Sequence, residues 1–267
     1  MRPLKGHLIA IAMPVLLGAA AVPARASDPI SPEVKKAIDA LVLANHILAD
    51  QGVLDGYGHV SVRNPANPRH FFVARSMAPA LVTAADIVEH DEDGNGIDAR
   101  GRKLYLERFI HGEIYRFRPD VNAVVHSHSP SVIPFGISQT TLRPVYHMAG
   151  FLGAGVPVFD IRDALGMTDM LVSSPAAGKA LVKTLGDRPV ALMRGHGDVV
   201  VAPDLHLVVY RAIYTEANAR LQAQALGLGP SPKYLAPEEA ARAEASINPT
   251  IDRAWDLWVR RVEKDAK

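Results

Sequence analysis

Cysteine is absent from all 267 residues. That excludes a disulfide framework and any thiolate metal centre, and it leaves imidazole and carboxylate as the strong ligands. An excess of one charge is missing too: 29 Lys and Arg stand against 28 Asp and Glu, a formal +1. Arg2, Lys5 and Arg25 precede an expected cleavage point, so losing their three positive charges leaves −2. Such a balance provides no electrostatic footprint for nucleic acid. There are no internal repeats or low-complexity tracts, and neither a paired-arginine signal nor a lipobox. With 48% apolar residues, the chain can bury one large core without a second domain.

Residues 1–26 read as a secretory leader, with Arg2 and Lys5 as its positive start, LIAIAMPVLLGAAAV as its apolar core, and Ala24-Arg25-Ala26 before the cut. The apolar stretch is shorter than the ~20 residues of a spanning helix. The expectation is therefore a periplasmic or secreted protein, free of the membrane after cleavage, with one domain and a C-terminal helical extension over residues 27–267. Ser31-Pro32-Glu33 opens a helix that runs to about Asp50 and that Gly52 closes. HVSVRNP and HFFVARS are short strands, and DEDGNG is a hairpin turn without the bidentate glutamate of an EF-hand loop. LYLERFIHGEIYRF is helical, with Leu106, Phe109, Ile110 and Phe117 as its core stripe and Pro119 ending it. Asp204 caps a long helix to about Leu226, and IDRAWDLWVRRVEK forms the last helix with Trp255 and Trp258 on one face. Taken alone, the alternation of helix and strand suggests a parallel α/β fold.

Against this background the histidines stand out. The apolar AVV leading into His126-Ser127-His128 reads as a strand, on which residues two apart point the same way, so His126 and His128 offer two imidazoles to one ion. His196, in the Gly195-His196-Gly197 turn after PVALM, can add a third and leave room for substrate. Gly195 and Gly197 would let the backbone turn sharply and the ion come close. Glu107 and His111 are four apart on one helix face. They could form a simple hydrogen-bonded pair, or His111 could orient Glu107, stand behind the metal ligands, or fill space.

Three blocks in order, GYGHVSVRNP, ERFIHGEIYRFRPDVNAVVHSHSP and ALMRGHGDVVVAP, resemble the class II aldolase/adducin family of metal-dependent lyases over roughly residues 36–226. The resemblance implies a three-layer α/β/α fold with a mostly antiparallel central sheet, assembled as a homotetramer with sites near subunit interfaces. It implies His126, His128 and His196 as ligands of a divalent transition metal, zinc first, with manganese, iron or cobalt also accepted, and Glu107 as the catalytic carboxylate. Three neutral imidazoles leave the +2 charge of such an ion uncancelled, able to stabilise the enolate left when a carbon–carbon bond breaks. Tyr146 and His147 are candidates for a second acid.

The phosphosugar aldolases of the family hold phosphate with an asparagine where this chain has His59, and with two serines where it has Tyr105-Leu106. Larger and more apolar groups there point away from a phosphorylated substrate. His59, Ser61 and Arg75 are the substrate-binding candidates, Arg75 through its planar fork. The wording GHVSVR and YLERFIHGEIYR resembles the decarboxylase branch that acts on hydroxy-carboxy-muconic semialdehydes and related acids. The expected activity is therefore decarboxylation of an unphosphorylated hydroxy- or oxo-carboxylic acid. Aldol cleavage of a small hydroxy-carbonyl substrate, a non-haem iron oxygenase and a non-catalytic adducin-like interaction module are the alternatives.

Overall fold

A computed structural model of the chain describes residues 31–229 and 232–265. The leader expected over residues 1–26 lies outside them. Helix α1 (Pro32–Asp50) begins as the sequence predicts: the Ser31 hydroxyl accepts from the Val34 amide at 3.3 Å, and Pro32 occupies the first turn. Seven strands follow, interleaved with helices: β1 (His59–Arg63), β2 (His70–Ala74), β3 (Ile87–Asp91), α2 (Arg108–Phe117), β4 (Ala123–Ser127), α3 (Ile133–Ile137), β5 (Val158–Phe159), α4 (Ile161–Leu165), α5 (Pro175–Leu185), β6 (Val190–Met193) and β7 (Gly197–Ala202). Three helices close the chain: α6 (Leu205–Leu228), α7 (Pro237–Ile247) and α8 (Ile251–Asp265). The Asp204 carboxylate caps α6 by accepting from the Leu207 amide at 2.8 Å.

The strands form one sheet in the order β3-β2-β1-β4-β7-β6-β5. Every neighbouring pair is antiparallel except β5 with β6. Side chains alternate between two apolar clusters. Ala123 and Val125 of β4, Val200 and Ala202 of β7, and Val190 and Leu192 of β6 pack with α1, α6 and α8. Val124, Val199, Val201, Ala191 and Met193 face the other way, onto α2 and α5. This is the three-layer arrangement implied by the family resemblance; the alternation of helix and strand suggests parallel strands, but all neighbouring pairs except β5 with β6 are antiparallel. A sheet covered on both faces needs near-continuous apolar strands, the usual mark of parallel sheets, whatever the strand direction.

Helix α2 differs from its predicted face. Leu106 and Phe117, expected in the core stripe, are 63% and 47% exposed. The buried stripe is Glu107, Ile110, His111, Ile114 and Tyr115, which has the helical spacing but is half polar. A reading that tracks only apolar residues misses a face whose polar members are used. The final helix follows its prediction, with Trp255 and Trp258 buried against the body, whereas α7 had no counterpart in the sequence reading. No helix among the described residues is long and apolar enough to cross a membrane.

Removing the α6 cap with Asp204→Ala should lower stability by about 1 kcal/mol. A urea denaturation midpoint unchanged by the substitution would contradict the assigned capping role.

Candidate metal centre

His126 is the second-last residue of β4, on the sheet face that meets α2, and it stands opposite His59 of β1 and Val199 of β7. Its Nδ1–H donates to the Asp198 carbonyl at 2.9 Å. That bond fixes the tautomer and leaves the Nε2 lone pair pointing away from the strand. His128 lies one pleat further on. His196 sits in the turn between β6 and β7, where Gly195 adopts a left-handed φ of 63°, and its Nδ1–H donates to the Met170 carbonyl at 3.2 Å. Gly195 supplies the sharp turn that the sequence reading gave it. Gly197 does something else: a Cβ there would lie 1.9 Å from the Ser127 carbonyl oxygen. Its missing side chain lets β7 close on β4 and brings the turn over His128, rather than making room for an ion.

The result is a convergence of nitrogens. His196 Nε2 and His128 Nε2 are 3.1 Å apart. Glu107, at the N-terminus of α2, places Oε2 3.5 Å from both His126 Nε2 and His196 Nε2. One ligand atom from each of the four residues lies within 4.8 Å of the others. The second oxygen of Glu107 accepts from the Val172 amide at 2.9 Å. Thus residues 170–172 hold both His196 and Glu107 through main-chain groups. Met170 does so from a left-handed φ of 72°, uncommon for a residue with a side chain. Sequence reasoning missed this segment, because main-chain donors and acceptors carry no side-chain signature.

The four residues suit a divalent ion. His126 Nε2 is buried without a hydrogen-bond partner among the described residues, a costly state for a polar atom that a cation would relieve. Two nitrogens at 3.1 Å need a shared proton or a cation between them. Three imidazoles with one carboxylate and no thiolate match zinc, manganese, iron or cobalt.

Charges in the cluster are strongly coupled. Burial opposes ionisation of Glu107, but the His126 charge and the close approach of the His126 and His196 nitrogens outweigh it and hold the carboxyl well below the usual carboxylate range. Burial would likewise lower His126, yet Glu107 and the Asp198 carbonyl more than offset this and raise it. Burial, then His126 and His196, lower His128 to about 4. Asp198, fully buried, is pushed up to about 7 by desolvation although the Ser127 hydroxyl donates to it at 2.5 Å.

Beside the cluster lies a cleft of about 300 Å³ with Glu107 and His128 at its floor and Tyr57, His59, Met77, Tyr105 and Leu171 around it. Among the described residues that line it there is no lysine or arginine. His59 and Ser61 belong to a buried chain behind this wall: His59 Nδ1 is 2.6 Å from His111 Nε2, and Ser61 Oγ is 2.6 Å from His111 Nδ1 and 2.8 Å from the Tyr115 hydroxyl. His111 therefore supports His59 rather than Glu107. Arg75 spends its Nε on Asp86 at 2.7 Å. Tyr146 packs against Tyr214 on the other side of the sheet and His147 is exposed; neither joins the cluster within one chain.

Comparison with known proteins agrees with this architecture. The sequence profile of the Class II Aldolase and Adducin N-terminal domain matches residues 39–223. The decarboxylase tropJ of Talaromyces stipitatus is 41% identical over 241 residues, covering 82% of this chain and 91% of that protein. The 3,4-dihydroxyphthalate decarboxylase of Arthrobacter keyseri is 32% identical over 218 residues, 76% of this chain and 84% of its own. Among solved structures, an aldolase II superfamily protein from Pseudomonas syringae superposes with a TM-score of 0.76 at 22% identity, over 89% of this chain and 96% of the other.

Two outcomes follow from the geometry. Purified protein should take up about one divalent transition metal per chain, and His126→Ala with His128→Ala should abolish this; equal metal in both would contradict the site. Because Glu107 and the Asp198 carbonyl raise the pKa of His126 in the metal-free protein, metal binding competes with protonation of its Nε2. Affinity should rise as pH is raised through the ordinary histidine range and beyond it, with proton release visible by calorimetry in buffers of different ionisation enthalpy; a flat profile would contradict the coupling.

Proposed function

Because this chain belongs to the class II aldolase and adducin family, we propose that it is a divalent-metal-dependent lyase that decarboxylates an unphosphorylated hydroxy- or oxo-carboxylic acid. It is a lyase, and its decarboxylase relatives favour carbon dioxide release over aldol cleavage. The observation that carries the reading is the cluster of Glu107 with three histidines beside a cleft that Glu107 and His128 help to line and that has no lysine or arginine in its lining. A phosphate dianion would find no lysine or arginine among the lining residues there to balance its charge. An apolar cavity of about 150 Å³ holds benzene, so 300 Å³ accommodates one ring with a few small substituents. A hydroxylated aromatic acid fits both the size and the walls, and is the substrate class of the Arthrobacter keyseri relative.

His126, His128 and His196 would hold the ion, zinc first, with manganese, iron or cobalt as alternatives. When bound, it supplies positive charge against which a substrate oxygen can carry the electrons left by the broken bond. The chain's own contribution is the proton. Glu107, whose carboxyl is held well below the usual range with the His126 charge as the main favourable cause against burial, can first accept a proton from the hydroxyl of the substrate or from water. Glu107 Oε2 can then hand a proton to the carbon that lost its carboxylate, while the Val172 amide anchors Oε1.

Tyr146 and His147 lie outside the cleft of their own chain, so a second acid from this pair would have to come from a neighbouring subunit. The exposed Tyr57 and Leu106 at the cleft rim favour the homotetramer, with subunits meeting there. The leader over residues 1–26 directs the enzyme out of the cytoplasm.

A panel of hydroxylated aromatic acids, 3,4-dihydroxyphthalate among them, should release carbon dioxide with metal-loaded protein. Glu107→Gln should lower kcat by roughly 10²- to 10⁴-fold while metal content stays unchanged. No carbon dioxide from any member of the panel, or full activity in the variant, would overturn the mechanism.

A further inference from the structure

The buried chain from Tyr115 through Ser61 and His111 to His59 has one direction in which every proton is used. The Tyr115 phenol is buried, and burial pushes its pKa well above the ordinary phenol range, so it keeps its proton. Its partner among the described residues is Ser61 Oγ at 2.8 Å. Donating there turns the Ser61 hydroxyl toward His111 Nδ1 at 2.6 Å, which must then accept. A neutral His111 with an accepting Nδ1 carries its proton on Nε2 and donates to His59 Nδ1 at 2.6 Å. His59 in turn carries its proton on Nε2. The reverse order would leave the phenolic proton buried without an acceptor, a cost of about 1–3 kcal/mol.

Each imidazole accepts through its Nδ1 along this chain, so each carries one proton and no charge. His59 lines the cleft. Its Nε2 makes no hydrogen bond among the described residues, whereas its Nδ1 is taken up by His111.

We propose that Tyr115, Ser61 and His111 are positioning residues that lock His59 as its Nε2–H tautomer, giving the cleft a fixed hydrogen-bond donor for an anionic oxygen of the substrate. The donor is built for holding rather than for proton transfer. Surrendering the Nε2 proton would draw protons along the whole chain and end in a buried tyrosinate. It complements Glu107, which is an acceptor, so a carboxylate or ring oxygen is oriented from the His59 side while the reacting carbon faces Glu107. This role rests on the decarboxylase reading for the identity of the ligand, but not for the tautomer.

The test is nitrogen-15 NMR of histidine-labelled, zinc-loaded protein, with the His59 signals identified by their loss in His59→Gln. A neutral Nε2–H ring at His59 is expected, and an Nδ1–H ring in the unaltered protein overturns the proposal whether or not any acid is decarboxylated. For an acid turned over by the unaltered enzyme, Ser61→Ala should raise KM about tenfold with a smaller change in kcat and a mixture of His59 tautomers. Ser61→Thr, which keeps the hydroxyl, should restore both readouts. A folded Ser61→Ala variant with unchanged KM and a single Nε2–H tautomer would overturn it as well.

Discussion

The close approach of β7 to the end of β4 is the constraint on which the site depends. His126 and His128 are delivered by one strand and its extension, but His196 comes from a turn 68 residues later in the chain. They meet because Gly197 presents no side chain to the Ser127 carbonyl and because the Asp198 carbonyl receives the His126 ring. The same contact therefore sets the distance between strands, the tautomer of one candidate ligand and the position of another. Val199 to Ala202 then continue into the core on both faces of the sheet, so the site is fastened to the most buried part of the molecule.

Helix α2 brings the second half. Its buried stripe carries Glu107 to the cluster, His111 to His59 and Tyr115 to Ser61, four residues apart each time. One helix thus serves two purposes: its first turn supplies a carboxylate whose protonation answers to the histidines around it, and its later turns support a wall of the cleft from behind. Segment 170–172 ties the two halves together with a carbonyl for His196 and an amide for Glu107. Local strain at Met170 is the visible cost of reaching both.

Much of this was legible in the sequence, for physical reasons that differ from residue to residue. The His126 and His128 pair follows from the two-residue period of a strand, and the caps of α1 and α6 follow from Ser31-Pro32 and Asp204. Strand direction did not follow, since helices alternating with strands are the usual mark of a parallel sheet; the family resemblance supplied it. The face of α2 was misassigned because its useful residues are polar, and polarity normally marks solvent. His111 was ambiguous because its partners, His59 and Ser61, are about fifty residues away. The main-chain clamp of residues 170–172 has no legible signal at all, since any side chain can carry an amide and a carbonyl.

The central claim is that His126, His128 and His196 together bind a divalent ion. X-ray absorption at the zinc edge of the reconstituted protein tests it most directly, because it reports the ligand atoms themselves. The account predicts scattering from three imidazoles with no sulfur. A shell of oxygen alone, without imidazole, would contradict it.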